Sequence, residues 1–498
     1  MILLTLILQV QVDWRVWLYG MRPGKTLGSD CFMTTPHGFL LGVGLSRPYL
    51  DPHAVAWALT HDGYTLWQFH QDTVSYDWSV MCSALPTHSG IYTVGSVILP
   101  GADTVFSSWV LKLNPFSGLP IWSYILDSLP DNGSGVIAMD PTGNLIIKGS
   151  IEEPATSIDI LVFSLDTSGN LRWYFRYDGP FHRMDQAHDL SVDGEGNSYM
   201  VGFRTDIFGS CPMPLPLAIK LDTTGNPLWI RAESTMVERS AEAMALFGEW
   251  LYMSGSGTGT AWLTRLDTAT GNTDWIKEYV GPVEQSVSNM AVDKKGNLYL
   301  TGGGGPDCWE IMCVDTIGNE KWKLDVNPGW DSREGARLIA LDSLGNIFIG
   351  GTNEHEYPAV YKLDTSGNLI WAWTDTLREY SRGTATGLVP DGHGGVYAQE
   401  WFTKPMSDPP YYTSITSVVH LTEAGGVAGN TGAKPGLRIT MAPSGFYITC
   451  PSGEARIYDS AGRLVIRREI KGKTLISPLV PGVYFVVAGD EKAKVTVR

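Results

Sequence analysis

The chain has 498 residues, of which 52 are acidic and 36 basic, giving a formal net charge of −16. Surfaces that follow nucleic-acid phosphates collect lysine and arginine, so this charge argues against a nucleic-acid partner. Only 18% of the residues are charged and 43% are apolar, with 56 glycines, 18 tryptophans and 21 tyrosines. This composition is typical of a folded, turn-rich chain. We expect an all-β protein rather than a helical bundle.

The chain opens with a short apolar run, Ile2–Val10. It is shorter than the roughly 20 apolar residues that a membrane-spanning helix needs, and no other stretch approaches that length. We therefore expect no transmembrane segment. The run also lacks the preceding Lys or Arg and the small-residue cleavage site of a secretory signal. Residues 1–11 are either the remnant of a signal peptide or an apolar leading strand.

Two short patterns alternate along most of the chain, which indicates an internal repeat. One pattern, Leu-Asp-Thr-x-Gly-Asn-x-x-Trp, is clear in LDTSGNLRW (165–173) and LDTSGNLIW (363–371). The other is Asp-x-x-Gly-Asn followed by apolar residues and a closing glycine, as in DGEGNSYMVG (193–202) and DKKGNLYLTG (293–302). Each predicts a β-hairpin, because Gly and Asn tolerate positive φ and the Asp side chain accepts turn amides. Two hairpins per period give the four strands of a propeller blade.

The tryptophan of the first pattern returns every 46 to 56 residues from Trp67 to Trp371. Trp14 lies in WRVWLYG (14–20), which matches the outer-strand segment WYFRYDG (173–179), whereas the last hairpin has lost its tryptophan. The N-terminal strand is therefore expected to complete the last blade, which closes the ring and leaves no open sheet edge. Eight copies of each hairpin predict eight blades over residues 12–430, with seven as the alternative. The indoles expected to pack between blades are Trp14, Trp67, Trp122, Trp173, Trp229, Trp275, Trp322 and Trp371.

These patterns resemble two known families of repeat. The Asp-x-x-Gly-Asn pattern is similar to the SBBP β-propeller repeat of secreted bacterial proteins, and the tryptophan pattern resembles the repeat of quinoprotein (PQQ-like) propellers. The resemblance implies the fold over about residues 12–430 but no single function, because propellers include binders, scaffolds and enzymes. Quinoprotein dehydrogenases usually use a vicinal cysteine pair with acidic calcium ligands, and no two of the six cysteines here are adjacent. We predict no cofactor and no metal.

The densest polar cluster of the predicted propeller is FHRMDQAHDL (181–190), just before an expected innermost strand. Loops at such positions can face the mouth of the central channel, and histidine and carboxylate side chains are common in proton transfer and metal binding. No GxSxG, HExxH or kinase motif is present, so we assign no catalytic residue. The loop candidates are His182, Arg183, Asp185, His188 and Asp189.

A separate module follows a linker at residues 431–436. Residues 437–498 contain short alternating strands, which predict a small β-sandwich. IYDSAGRLV (457–465), PGVYFVV (481–487) and KVTVR (494–498) resemble the C-terminal sorting domain of the type IX (Por) secretion system. In that family the module is the export address, which implies the secretion machinery as a partner and a secreted or cell-surface location, reached through the periplasm of a Gram-negative bacterium. The motif residues are Tyr458, Asp459, Gly462, Arg463, Gly482, Val483 and Tyr484.

These features together favour an exported propeller that binds a protein or a glycan through loops at the channel mouth. The missing catalytic motifs favour a non-enzymatic role, although the sequence leaves enzymatic activity open. One alternative is an extracellular hydrolase or lyase acting on polysaccharide or a lactone in the central channel. Three or more acidic or histidine side chains from different blades, meeting at one channel mouth, would favour that enzyme. The other alternative is a scaffold resembling the propeller of outer-membrane assembly.

Overall fold

In a computed structural model of the chain, the described residues form 38 strands and no helix. Consequently none of them belongs to a helix long and apolar enough to cross a membrane. The chain divides into two compact units, Met1–Ala424 and Gly425–Arg498. The structure describes residues 10–19, 21–23, 31–46, 53–71, 78–99, 106–126, 131–153, 157–208, 211–235, 238–257, 260–279, 285–304, 309–326, 336–353, 356–375, 382–405, 412–423, 438–442, 445–459, 464–476, 482–488 and 491–497.

The first unit contains 33 of these strands. In chain order they are β1 (Val10–Tyr19), β2 (Met21–Pro23), β3 (Phe32–Thr34), β4 (Leu40–Ser46), β5 (His53–Leu59), β6 (Thr65–His70), β7 (Trp78–Thr87), β8 (Gly90–Ile98), β9 (Phe106–Leu113), β10 (Pro120–Leu126), β11 (Asp131–Met139), β12 (Leu145–Glu153), β13 (Ser157–Leu165), β14 (Leu171–Tyr177), β15 (Gln186–Val192), β16 (Ser198–Phe208), β17 (Cys211–Leu221) and β18 (Pro227–Ala232). They continue with β19 (Ser240–Phe247), β20 (Trp250–Ser256), β21 (Ala261–Asp267), β22 (Thr273–Tyr279), β23 (Gln285–Val292), β24 (Leu298–Gly304), β25 (Trp309–Val314), β26 (Glu320–Val326), β27 (Ala336–Leu341), β28 (Ile347–Thr352), β29 (Pro358–Leu363), β30 (Leu369–Thr374), β31 (Arg382–Pro390), β32 (Val396–Pro405) and β33 (Tyr412–Glu423).

These strands form eight antiparallel sheets, so the predicted eight-bladed β-propeller is confirmed. Blade 1 contains β2 to β6, and blades 2 to 7 take four consecutive strands each, from β7–β10 to β27–β30. Blade 8 contains β31, β32, β33 and, as its fourth strand, β1. Residues 1–9, on which the expectation of a signal-peptide remnant depends, lie outside the described part of the chain.

In blades 2 to 8 the first strand is innermost, because it contacts the first strand of an adjacent blade; in blade 1 this place is taken by β3, which contacts β31. Apolar side chains fill the space between adjacent sheets, as where Ile146 and Val162 of blade 3 meet Leu190 and Met200 of blade 4. Because the strands run up and down, the turns joining the first to the second and the third to the fourth strand lie at one end. We call this end the turn face. The opposite end, the loop face, carries the hairpins between second and third strands and the connections between blades.

The turn face is built from one repeated hydrogen-bonded turn. Asp193 Oδ1 accepts the backbone amides of Glu195 and Asn197, each at 2.9 Å, while the Asn197 side chain donates to Asp193 Oδ2. Burial acts to raise the pKa of Asp193, but these hydrogen bonds outweigh it and the pKa is lowered. The carboxylate therefore serves the turn. The same two hydrogen bonds, from backbone amides to the side chain of the turn aspartate, recur at Asp140, Asp166, Asp222, Asp293, Asp315, Asp342 and Asp364.

The repeat tryptophans contact the turn of the following blade. Trp173 on β14 donates from Nε1 to Thr223 O at 3.0 Å, and its ring lies against Gly225. Gly225 has a φ of +84°, and a Cβ there would lie 2.5 Å from the indole, so the turn requires glycine. Trp14 on β1 makes the same contact with Gly63 of blade 1, which joins blade 8 to blade 1. Similar contacts are made by Trp67, Trp122, Trp229, Trp275 and Trp322, and Trp371 is buried.

The described strands of the second unit form one five-stranded antiparallel sheet in which β34, β35, β37 and β38 are adjacent and β36 also pairs with β35. Tyr458 and Asp459 on β35 pair with Phe485 and Tyr484 on β37, so two parts of the sorting-domain motif are neighbours. A β-sandwich requires a second, facing sheet, and the sandwich stays a prediction. Gly462, Arg463 and the linker 431–436 lie outside the described residues. The strands are β34 (Arg438–Ala442), β35 (Gly445–Asp459), β36 (Leu464–Ile476), β37 (Gly482–Ala488) and β38 (Glu491–Val497).

Candidate functional site

The innermost strands of blades 2 to 8 carry a β-bulge at the same position. In blade 4, Ala187 pairs with Gly202 and Asp189 pairs with Val201, which leaves His188 as the extra residue. A bulge re-aims the side chain of its extra residue. The innermost strands surround the central axis, so the extra residue of each bulge lies on the channel wall. None of these residues is buried. We call these residues the bulge ring: Cys82, Gly135, His188, Glu242, Ser288, Arg337 and Thr386.

The bulge explains the closing glycine of the second sequence pattern. A Cβ on Gly202 would lie 1.9 Å from Gln186 O, the carbonyl just before the bulge of the adjacent strand. Backbone cannot yield by that distance, so blade 4 requires glycine here, and Gly95 of blade 2 and Gly255 of blade 5 have the same close contact with the corresponding carbonyls. In blade 8 the corresponding residue is Glu400, which pairs with Ala385 as Gly202 pairs with Ala187.

Glu400 on β32 is fully buried. Its Oε2 accepts a hydrogen bond from Ser417 Oγ at 2.5 Å and lies 3.3 Å from a guanidinium nitrogen of Arg15 on β1. Arg15 also forms an ion pair with Asp375. Burial, together with the charge of Asp375, raises the pKa of Glu400 to about 8, although Arg15 and Ser417 act to lower it. The closing strand is thus held by charged groups as well as by its backbone pairing with β33.

The bulge ring brings His188 of blade 4 and Glu242 of blade 5 into contact. His188 Nδ1 lies 3.0 Å from Glu242 Oε2 and 3.0 Å from Ala241 O. Both oxygens are acceptors, so Nδ1 carries the hydrogen. Burial acts to raise the pKa of Glu242, but the hydrogen bond and charge of His188, with a hydrogen bond from Ser240, outweigh it and lower the pKa.

Two further ionisable side chains, Lys148 and Asp189, lie near this part of the channel wall. Lys148 on β12 reaches past the inner strand of blade 3, with its Nζ 3.7 Å from where a Cβ on Gly135 would stand. Burial lowers the pKa of Lys148 against the opposing charges of Asp189 and Cys82, and burial raises the pKa of Cys82 to about 11. Asp189 accepts the amide of Met244 in blade 5 at 3.0 Å. Blades 2 to 5 therefore place a mixed set of polar side chains on one side of the channel.

On the loop face, Asp159, Asp178 and Asp185 bring their carboxylates within 4.8 Å of one another. Burial, with the charges of the other two, raises the pKa of Asp185 to about 6, although backbone amides bind it, including Thr205 N at 3.0 Å. Carboxylates this close could hold a divalent cation. However, Arg176 already pairs with Asp159 at 2.5 Å, and the amides bind Asp185, so the cluster is explained as an anchor for the connection 178–185.

The structure divides the predicted loop candidates between two places. His182 is on the loop face, where its side chain is 67% exposed and Nδ1 lies 2.7 Å from Asp178. Arg183 is exposed beside it, and Asp185 belongs to the buried anchor. His188 and Asp189 are on the channel wall. The five side chains therefore do not form one site.

The sequence reasoning missed Glu242, Lys148 and Glu400. An alignment of the inner strands would have placed Glu242 at the repeat position of His188, and an alignment of the second strands would have shown Glu400 where other blades have glycine. Lys148 had no such signal, because its proximity to Asp189 arises from the packing of separate blades.

No protein-family profile matches the chain, and no curated protein matches its sequence. The structure is similar to a quinohemoprotein alcohol dehydrogenase from Comamonas testosteroni, with a TM-score of 0.51 and 10% identity over 87% of this chain and 78% of that one. It is also similar to BamB from Moraxella catarrhalis, with a TM-score of 0.47 and 13% identity over 82% of this chain and 99% of that one. PorZ, a surface component of the type-IX secretion system of Porphyromonas gingivalis, gives a TM-score of 0.39 and 13% identity over 95% and 59%. The similarity to the dehydrogenase shows the propeller fold alone, and we base no conclusion on the other two.

Proposed function

We propose that this chain is an exported β-propeller that binds a protein or a glycan through its loop face, at the cell surface or outside the cell, and that the loop face itself catalyses no reaction. The turn face repeats one geometry from blade to blade, so its Asp and Asn side chains serve the fold. The loop-face connections differ in length and sequence, which is the usual arrangement where a rigid scaffold presents binding residues.

The observation that carries this proposal is a group of exposed apolar side chains on the loop face of blade 4. Phe181 and Met184 lie on the connection 178–185, and Ile207 and Phe208 lie at the end of β16, each with 36% to 41% of its surface exposed. Strands β16 and β17 have 11 residues each, so their tip extends past β15 and β18. Aromatic residues and methionine are enriched at protein interfaces.

The outer edge of the β17 tip is closed to strand addition. Pro212, Pro214 and Pro216 have no amide hydrogen to donate, and the carbonyls of Pro214 and Pro216 accept the amides of Arg239 and Glu233. A partner is therefore expected to contact the apolar side chains of the tip rather than extend the sheet.

The experiment compares two double variants of the full chain on a glycan array and against purified surface proteins. Phe181→Ser with Phe208→Ser removes apolar contacts from the loop face. Phe116→Ser with Leu119→Ser is the matched control, because these side chains are 69% and 65% exposed on the turn face. Binding that is lost in the first variant and kept in the control supports the proposal. Equal loss in both variants, or unchanged binding in the first, contradicts it.

The export part of the proposal is supported by the sequence resemblance of residues 437–498 and by the compactness of the second unit. Deleting residues 436–498 should leave a folded propeller that accumulates in the periplasm, as measured by fractionation together with far-UV circular dichroism. A truncated chain that reaches the medium normally would contradict the sorting role. If the mature protein kept this unit, the envelope-assembly scaffold would be favoured.

The hydrolase or lyase alternative has weaker support among the described residues. The three carboxylates that meet on the loop face belong to blade 3 and the connection that follows it, rather than to several blades. On the channel wall, two titratable side chains from different blades, His188 and Glu242, are in contact.

A further inference from the structure

We infer that His188 and Glu242 form a carboxylate–histidine pair whose Nε2 acts as a nucleophile toward small, activated acyl esters that enter the channel. This site is separate from the apolar side chains of the loop face. Its existence does not depend on the binding function proposed above.

The backbone presents both residues in the same way. Each is the extra residue of a bulge, in the adjacent blades 4 and 5. The same backbone position holds Ser288 in blade 6 and Thr386 in blade 8. The bulge therefore tolerates small neutral side chains, and the fold does not require a histidine beside a glutamate.

The contacts fix the orientation of the imidazole. Nδ1 of His188 is held between Glu242 Oε2 and Ala241 O, each at 3.0 Å, with Ser240 Oγ at 3.4 Å. Phe203 packs against the ring in a T-shaped arrangement at 5.6 Å between centroids. Among the described residues Nε2 has no hydrogen-bond partner, and 16% of the side chain stays accessible. Nε2 is thus the ring nitrogen that a compound in the channel can reach.

This arrangement has the parts that acyl transfer needs. A carboxylate on Nδ1 selects the tautomer with a lone pair on Nε2 and stabilises the positive charge that develops when Nε2 forms a bond. Nε2 attacks the ester carbonyl, the alkoxide or phenolate leaves, and the Nδ1 hydrogen is shared with Glu242. Water then attacks the acyl-imidazole, which releases the carboxylic acid and restores the imidazole, and the proton that water gives up is taken by the departed alkoxide or phenolate. The net reaction is ester plus water to acid plus alcohol.

The test uses p-nitrophenyl acetate and the full chain, with release of p-nitrophenolate as the signal. His188→Gln should lower the protein-dependent rate by about tenfold or more. His182→Gln is the matched control, because that imidazole also pairs with a carboxylate through Nδ1, at 2.7 Å, but lies exposed on the loop face. A His188→Gln rate equal to that of the unmodified chain, or a larger loss in His182→Gln, would overturn the inference.

Glu242 is a positioning residue, and its role needs a spectroscopic measurement. With selectively 15N-labelled histidine, the unmodified chain should show His188 protonated at Nδ1. Glu242→Gln keeps an oxygen that can accept the Nδ1 hydrogen but removes the negative charge, so the tautomer should stay and the rate should fall, whereas Glu242→Asp should restore part of the rate. An unchanged rate in Glu242→Gln would refute the positioning role.

A measurement without substitutions covers the case in which the variants do not fold. Diethyl pyrocarbonate should modify His188 in the native, unmodified chain, as shown by peptide mass spectrometry. If His182 is modified and His188 stays unmodified, Nε2 is closed to reagents in the channel and the inference fails.

Discussion

Replacing Glu400 by glutamine should remove a pH dependence of stability that this carboxyl group imposes on blade 8. The carboxyl group is fully buried against Arg15, Ser417 and the neighbouring Asp375. Glutamine keeps the shape of the side chain and retains an oxygen that can accept the Ser417 hydroxyl. Arg15 keeps its ion pair with Asp375, so the substitution changes one charge.

The expected size follows from the pKa. Burial first, and then the charge of Asp375, raises the pKa of Glu400 from 4.5 to about 8 in the folded chain. Between these values the folded state keeps a proton that the unfolded state has lost, so the free energy of unfolding falls as the pH rises. At about 1.4 kcal/mol per pKa unit, the loss over this window is roughly 4–5 kcal/mol. The contribution is fully present below pH 4.5 and is lost as the pH passes about 8.

The assay is urea denaturation at several pH values between 4.5 and 9, followed by tryptophan fluorescence. Glu400→Gln should match the unmodified chain near pH 5 and exceed its stability near pH 9. Glu249→Gln, at an exposed turn of blade 5, is the control and should keep the original pH dependence. If Glu400→Gln keeps the same slope as the unmodified chain, the burial argument is wrong.

Two other perturbations test the architecture. Trp229→Ala should cost about 3 kcal/mol, because its ring lies against Gly271 and its Nε1 donates to Thr268 O at 3.1 Å. Leu228 lies on the same strand with its side chain 52% exposed, so Leu228→Ala should change the free energy of unfolding by about 0.5 kcal/mol or less. If chemical denaturation showed a larger loss of stability for Leu228→Ala than for Trp229→Ala, the inter-blade contact would be contradicted. Deleting residues 1–20 removes β1 and uncovers the edge of β33. Calorimetry should then show a lower melting temperature, and gel filtration should show association of chains through that edge. A truncated chain that stays monomeric with an unchanged melting temperature would count against closure of the ring by β1.

The eight blades were predictable because their signals are local. The turn at Asp193 forms its hydrogen bonds within five residues, so the same residue types recur in the sequence wherever the fold needs this turn. The closing glycine of the second pattern, such as Gly202, also recurs in the sequence. The reason that glycine is needed there, the close backbone carbonyl of the adjacent bulged strand, is visible in the structure alone. The N-terminal strand was assigned to the last blade because Trp14 carries the outer-strand pattern.

The candidate site was far less predictable. His182 and His188 are six positions apart, yet one faces solvent beside Asp178 and the other lies on the channel wall beside Glu242. The difference arises because the connection ends and a bulged inner strand begins between them. A polar cluster in sequence therefore became two unrelated environments.

By itself, the amino-acid sequence predicted eight blades with seven as the alternative, and it determined the turn chemistry and the use of tryptophan between blades, since these depend on contacts within a hairpin or on one strictly repeated neighbour. The tertiary structure alone decided which charged groups meet. Glu242 reaches His188, and Arg15 reaches Glu400, from strands far away in the chain. Such contacts follow from the closure of the ring and the register of each bulge, which are set by the packing of whole sheets.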